Sequence, residues 1–134
     1  MTTAVEDYID SSLHAPLRFL VLTSVDIYNG DANFVFATSW LNGGILVSTA
    51  RFGDPVNEKR LVEYRTAKQS LSSIMKSFGV PESADINSVL SYAQSVEEHD
   101  RKGNRPSTEA MAIFRENLRL LDAGWKAYKN TSLK

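Results

Sequence analysis

The sequence predicts an α+β fold. Three observations carry that prediction. Residues 17–25 (LRFLVLTSV) form a continuous apolar run rich in β-formers, two further β-rich runs flank the turn signal Asn42-Gly43-Gly44, and residues 57–78 carry a long helical periodicity. Strands followed by helices, without a repeating βαβ alternation, point to segregated α+β layers.

The elements follow in order. Residues 4–13 (AVEDYIDSSL) are compatible with a short helix stopped near Pro16. The run at 17–25 reads as a strand buried on both faces. Asn29-Gly30-Asp31 is a turn, residues 33–39 (NFVFATS) a second strand, and residues 45–51 (ILVSTAR) a third, ended by Gly53-Asp54-Pro55. In the helix at 57–78, Leu61, Tyr64, Ala67, Leu71, Ile74 and Phe78 recur at three- and four-residue steps. Gly79 is placed to cap this helix and Pro81 prevents its continuation. Residues 81–106 are mixed and largely polar. Ser107 or Thr108 can cap a last helix carrying Met111, Phe114, Leu118, Leu121 and Trp125 and running to about Lys129.

Composition sets broad limits. The 134 residues suit one compact domain over 1–134, and 43% hydrophobic with 23% charged residues is ordinary for a globular protein. A net charge of −1 offers no electrostatic case for nucleic acid. The absence of cysteine excludes disulfides and cysteine-based zinc sites. The acidic start MTTAVEDYID lacks the features of a signal peptide, and no run reaches the length of a membrane span, so a cytoplasmic location is expected.

Residues with catalytic potential are few. The two histidines, His14 and His99, lie in different segments. His99 falls in the charged run Glu97-Glu98-His99-Asp100 and reads as a surface residue. Phe34, Phe36 and Trp40 alternate as strand residues do and read as core and rim. Ser73-Ile74-Met75-Lys76 is an S-x-x-K pattern, which places a hydroxyl and an amine on one helix face. A serine/lysine hydrolase would need supporting S-D-N and K-T-G elements, and these are absent. A plain helix surface is the preferred reading.

The order of the pieces resembles the archaemetzincin family of zinc proteases. Val25-Asp26-Ile27-Tyr28 is similar to the family's DVD(L/I)Y element. Asn33-Phe34-Val35-Phe36-Ala37 resembles its NFVFG strand, and Val47-Ser48-Thr49-Ala50-Arg51 its ValSxxR strand. The family signature is HExxHxxGxxHC, then CVM, then CxxC. With its glycine on Gly79, no gap is needed from Lys68 to Ala110, and the resemblance covers about residues 17–125. In this register Ser72 takes the first histidine position, Ser73 the catalytic glutamate, Lys76 the second histidine and Glu82 the third. Leu90 stands for the methionine beneath the metal. Ser83, Ser88, Ser107 and Ala110 stand for the four structural cysteines.

The resemblance therefore implies a zincin/metzincin-like fold: a small mixed sheet packed on a long former active-site helix, plus a C-terminal helix. It further implies a domain without zinc ligands or cofactor. The expectation drawn from it is a protein that is not an enzyme and serves as an interaction subunit or adaptor, its partner another protein, with no nucleic acid and no membrane. Lys76 and Glu82 are expected to form an ion pair in place of the metal. Two contact surfaces follow. One is the last helix, through Arg115, Arg119, Lys126 and Lys129. The other is a retained substrate cleft, with peptide along an edge strand that includes Ile45, Val47, Thr49 and Arg51.

Overall fold

The computed structural model describes residues 18–30, 33–39 and 43–132, the side chains of 128, 129, 131 and 132 excepted. The helix expected at 4–13, His14 and Trp40 lie outside these residues. The elements are β1 (Phe19–Thr23), β2 (Ile27–Tyr28), β3 (Phe34–Val35), β4 (Ala37–Ser39), β5 (Gly44–Ser48), α1 (Lys59–Ser77), α2 (Val96–Arg101) and α3 (Thr108–Ser132).

The main sheet is mixed, with strand order β1-β5-β4. β1 runs parallel to β5, pairing Phe19 with Gly44 and Thr23 with Ser48. β4 runs antiparallel to β5, pairing Ala37 with Val47 and Ser39 with Ile45, as the Asn42-Gly43-Gly44 signal requires. The single strand expected at 33–39 breaks at Phe36. Before the break β3 pairs with β2; after it β4 joins the main sheet.

Two strand expectations are corrected by this order. β5 is the central strand, so Ile45 and Val47 do not lie on an edge. Both are fully buried in the core with Phe36, Phe52 and Ala93. Thr49 and Arg51 lie beyond the strand and are engaged internally. The Thr49 amide donates to the Thr23 carbonyl at 2.8 Å, and the Arg51 guanidinium pairs with Asp26 at 2.9 Å while covering the Phe34 ring at 3.7 Å. β1, expected to be buried on both faces, pairs with β5 alone among the described residues and exposes Leu20, Val21 and Leu22.

α1 packs through only the second half of the stripe that its apolar periodicity suggests: Phe78 is buried, and Leu71 and Ile74 pack against the two apolar clusters. Leu61, Tyr64 and Ala67 are exposed. The buried face instead carries Lys68, Ser72 and Met75, with Arg65 partly buried one turn before. The reason is α2, a helix not anticipated within residues 81–106. Lys68, 2% exposed, donates from Nζ to the carbonyls of His99 at 3.0 Å and Lys102 at 2.9 Å, the C-terminal end of α2. Unpaired carbonyls and the negative end of the helix dipole make that end a natural seat for a cation. Arg65 clamps the same end, gripping Asp100 through two bonds of 2.9 and 2.6 Å and donating to the Phe52 carbonyl at 2.7 Å. At its start, α2 is capped by Ser95, whose hydroxyl accepts from the Glu98 amide at 3.2 Å, while the Glu98 carboxylate accepts from the Gln94 amide at 2.7 Å.

This docking puts His99 in the core, contrary to its expected surface position. Its ring is 0% exposed and sits 5.2 Å from Phe36 and 5.1 Å from Phe52, between centroids. Neither ring nitrogen has a hydrogen-bond partner among the described residues. A second apolar cluster of Met75, Val80, Val89, Leu90 and Ala110 joins the end of α1 to the start of α3. α1 ends as expected at Gly79. Its φ of 86° lets the Gly79 amide reach the Lys76 carbonyl at 2.9 Å and the Val80 amide reach Met75 at 3.1 Å. A Cβ at Gly79 would lie 3.0 Å from the Asn117 amide nitrogen, which itself donates to Phe78 at 2.7 Å and ties α3 to the helix end.

Two stability predictions follow from the docking of α2. Burial, reinforced by Lys102 and Lys68, holds the His99 pKa down at about 4 against 6.5 in the unfolded chain. The unfolded state therefore takes up the proton first, and stability falls as pH drops from 6.5 towards 4, by roughly 3 kcal/mol in total. His99→Phe should leave stability at neutral pH within about 1.5 kcal/mol of the parent and remove that acid-side loss, as read from urea unfolding across the pH range. Lys68→Met leaves the α2 carbonyls without donors and should cost about 3 kcal/mol by the same measurement.

Candidate functional site

The helix α1 and the strand β4 face each other across a cleft. Its cavity of about 130 Å³ is lined by β3–β4 residues Val35 to Ser39, by Gln69, Ser73 and Lys76 of α1, by Ser91, Tyr92 and Ala93, and by Lys102 just after α2. One wall is the last turns of a helix, one an open strand edge, and the floor is the chain leading into and out of α2.

The structure brings together part of the expected set. Ser73 and Lys76 line the cleft. The Ser73 hydroxyl accepts from the Gln69 amide at 3.0 Å. The ammonium of Lys76 meets Glu82 at 3.3 Å, so the anticipated ion pair is present, with Glu82 more than half exposed. Ser72 lies behind the cleft wall, fully buried, its hydroxyl without a hydrogen-bond partner among the described residues. Leu90 belongs to the second apolar cluster. Ser83, Ser88 and Ser107 each accept a backbone amide from a residue two or three positions on, at 3.1 Å: those of Asp85, Leu90 and Ala110 respectively. These are local loop and helix caps, and Ala110 packs in the core beside them.

Gln69, Ser91, Tyr92, Lys102 and the edge β4 complete the cleft and were not picked out from the sequence. Lys102 is 4% exposed. Burial first, then Lys76 and Lys68, brings its pKa down to about 8. The α3 surface offers less. Arg119 is held by Glu116 at 2.6 Å and Lys126 by Asp122 at 3.0 Å, both on their own helix, and Arg115 is exposed. The Lys129 side chain lies outside the described residues.

The Lys76–Glu82 pair is partly hydrated, and such pairs contribute little. Lys76→Met is expected to change unfolding free energy by less than about 1 kcal/mol in urea titrations. A larger loss would mean that the pair holds the helix end in place.

No family profile matches the chain. It is 33% identical to an archaemetzincin of Methanopyrus kandleri over 103 residues, 76% of this chain and 58% of the relative. It thus spans under two thirds of that relative's length. The solved structure of an archaemetzincin from the same organism superposes with a TM-score of 0.69 over 76% of this chain and 56% of that one, at 32% identity. An archaemetzincin of Archaeoglobus fulgidus, solved with malonate, gives 0.64 at 27% identity over 73% and 61% of the two chains. A zinc-dependent peptidase of Methanocorpusculum labreanum shares the fold at 20% identity, with a TM-score of 0.69 over 81% and 59%. These relatives correct the expectation that the chain is not an enzyme. One of them is by name a zinc-dependent peptidase, and altered residues at the signature positions are no demonstration of inactivity. The zinc that one relative's name implies does not fit the residues found here. The described residues contain no cluster of three or more His, Cys, Asp or Glu, and an ammonium, which has no lone pair to give, stands at the second ligand position. By sequence and by fold, the chain belongs to the archaemetzincin family, as a member whose described residues assemble no zinc-ligand set.

Proposed function

We propose that the chain is a protein-interaction domain that binds an extended peptide segment across the cleft. The observation that supports this reading is the position of β4. It is an edge of the main sheet among the described residues, and its residues Ala37, Thr38 and Ser39 line the cavity. The Phe36 carbonyl accepts from the Ser48 amide at 2.9 Å, which sets the alternation of the antiparallel ladder. By that alternation Thr38 turns its backbone groups toward β5, while Ala37 and Ser39 turn theirs outward. An extended peptide can add to this edge through main-chain hydrogen bonds, its side chains reaching the cavity walls. The bound segment would belong to another protein, so the domain would act as a subunit or adaptor within an assembly.

Ser39→Pro tests the proposal. Proline removes an outward amide from an edge strand without taking a bond from the β4–β5 ladder. Binding of extended peptides, selected from a library and measured by fluorescence anisotropy, should weaken by about tenfold. The melting temperature should change little. Peptide affinity unaltered in Ser39→Pro, or amides of β4 whose hydrogen exchange is unchanged by peptide, would remove β4 as the binding edge.

A further inference from the structure

The cleft contains a charge that the fold leaves unanswered. Lys102 lines the cavity and is nine-tenths buried, yet its ammonium has no hydrogen bond or ion pair among the described residues. The other cations nearby are provided for. Lys68 has its backbone carbonyls, Arg65 has Asp100, and Lys76 has Glu82. Lys76 lines the same cavity as Lys102, and Ser73 beside it uses its oxygen as an acceptor while its hydroxyl hydrogen makes no bond among the described residues. Two lysines and a serine with a hydroxyl hydrogen to give thus line one small space whose remaining walls are apolar or neutral.

We infer that this space is a carboxylate-recognition pocket, in which Lys102 and Lys76 receive an acidic group of the bound peptide. The inference rests on the peptide reading above and narrows it to peptides that carry a carboxylate, from a Glu side chain or from the C-terminus. A carboxylate accepts two strong charge-assisted bonds, which suits a pair of ammonium donors. Lys76 can turn to it at little cost, since its exposed partner Glu82 is hydrated without it. An uncharged amide of the same shape would offer the Lys102 ammonium no opposite charge.

Four versions of one cleft-binding peptide test this against the full chain. A single position carries Glu or Gln, and each form has a free or an amidated C-terminus. The carboxylate that matters should bind about tenfold more tightly than its amide, and the pair that differs names its source. Lys102→Met should abolish that preference, bringing the acid and amide forms to the same affinity. Equal affinity for all four would overturn the carboxylate pocket and leave the peptide reading intact. Should no peptide bind, the peptide reading fails and the pocket is tested alone, by NMR titration of the Lys102 side chain in acetate and in chloride at equal ionic strength. Lys76, Lys68, Glu82 and His99 are the titratable groups around it. An upward shift from its pKa of about 8 in acetate but not in chloride supports the pocket. The same titration in both salts overturns it.

Discussion

The docking of Lys68 into the carbonyl end of α2 is the constraint on which the rest of this structure depends. A buried ammonium is costly unless it is fully hydrogen-bonded, and here the backbone of His99 and Lys102 supplies that bonding. Because the acceptors are main-chain atoms at a helix end, the cation is satisfied only when α2 is formed and correctly placed. Arg65 makes the same demand through Asp100 and Phe52. The two cations of α1 therefore fix α2, α2 inserts His99 between Phe36 and Phe52, and the segment after α2 carries Lys102 to the cleft. Core and cleft are set by one joint.

The same joint explains where the sequence was legible and where it was not. The hairpin, the Gly79 stop and the last helix rest on local backbone chemistry, and local signals revealed them. The family-like motifs revealed the fold that the relatives share. The buried face of α1 could not be read from apolar periodicity, because its first half is polar by virtue of partners thirty residues away. Leu61 and Tyr64 mimic a core stripe, while Arg65 and Lys68 occupy the actual one. α2 did announce itself: Ser95 and Glu98 form a capping signature at helix spacing. The charge of Glu97-Glu98-His99-Asp100 concealed it. A histidine among charged neighbours reads as solvated, yet a helix turns one residue in three or four inward, and here the inward one is His99. Edge and centre of the sheet were likewise unreadable, since strand order is a long-range property. β5 is central only because β1 returns parallel to it from twenty residues earlier.

For the relatives' metal positions, what stands here is a set of local replacements. Ser83, Ser88 and Ser107 bond to nearby amides, and Ala110 fills the adjacent core. Their satisfaction is short-range and needs no central ion. The signature helix is different. The Ser72 hydroxyl has no hydrogen-bond partner among the described residues, whereas Lys76 meets Glu82 across the helix end. An orphaned buried hydroxyl costs on the order of 1–3 kcal/mol, so this wall of the cleft is not the most stable that the fold could hold.

Charge accounting around the cleft points the same way. Four cations gather there, Arg65, Lys68, Lys76 and Lys102, and two carboxylates answer them, Asp100 and Glu82. Main-chain carbonyls take the third cation. The fourth, Lys102, has no acceptor among the described residues; burial of its side chain, then Lys76 and Lys68, lowers its pKa, and its charge adds to the burial that holds the His99 pKa down. In the carboxylate-pocket proposal this charge is answered when an acidic group enters the cleft. In the proposed reading the β4 edge sets the direction of its approach: along the strand, as part of an extended chain, with its acidic group over the floor of the cleft.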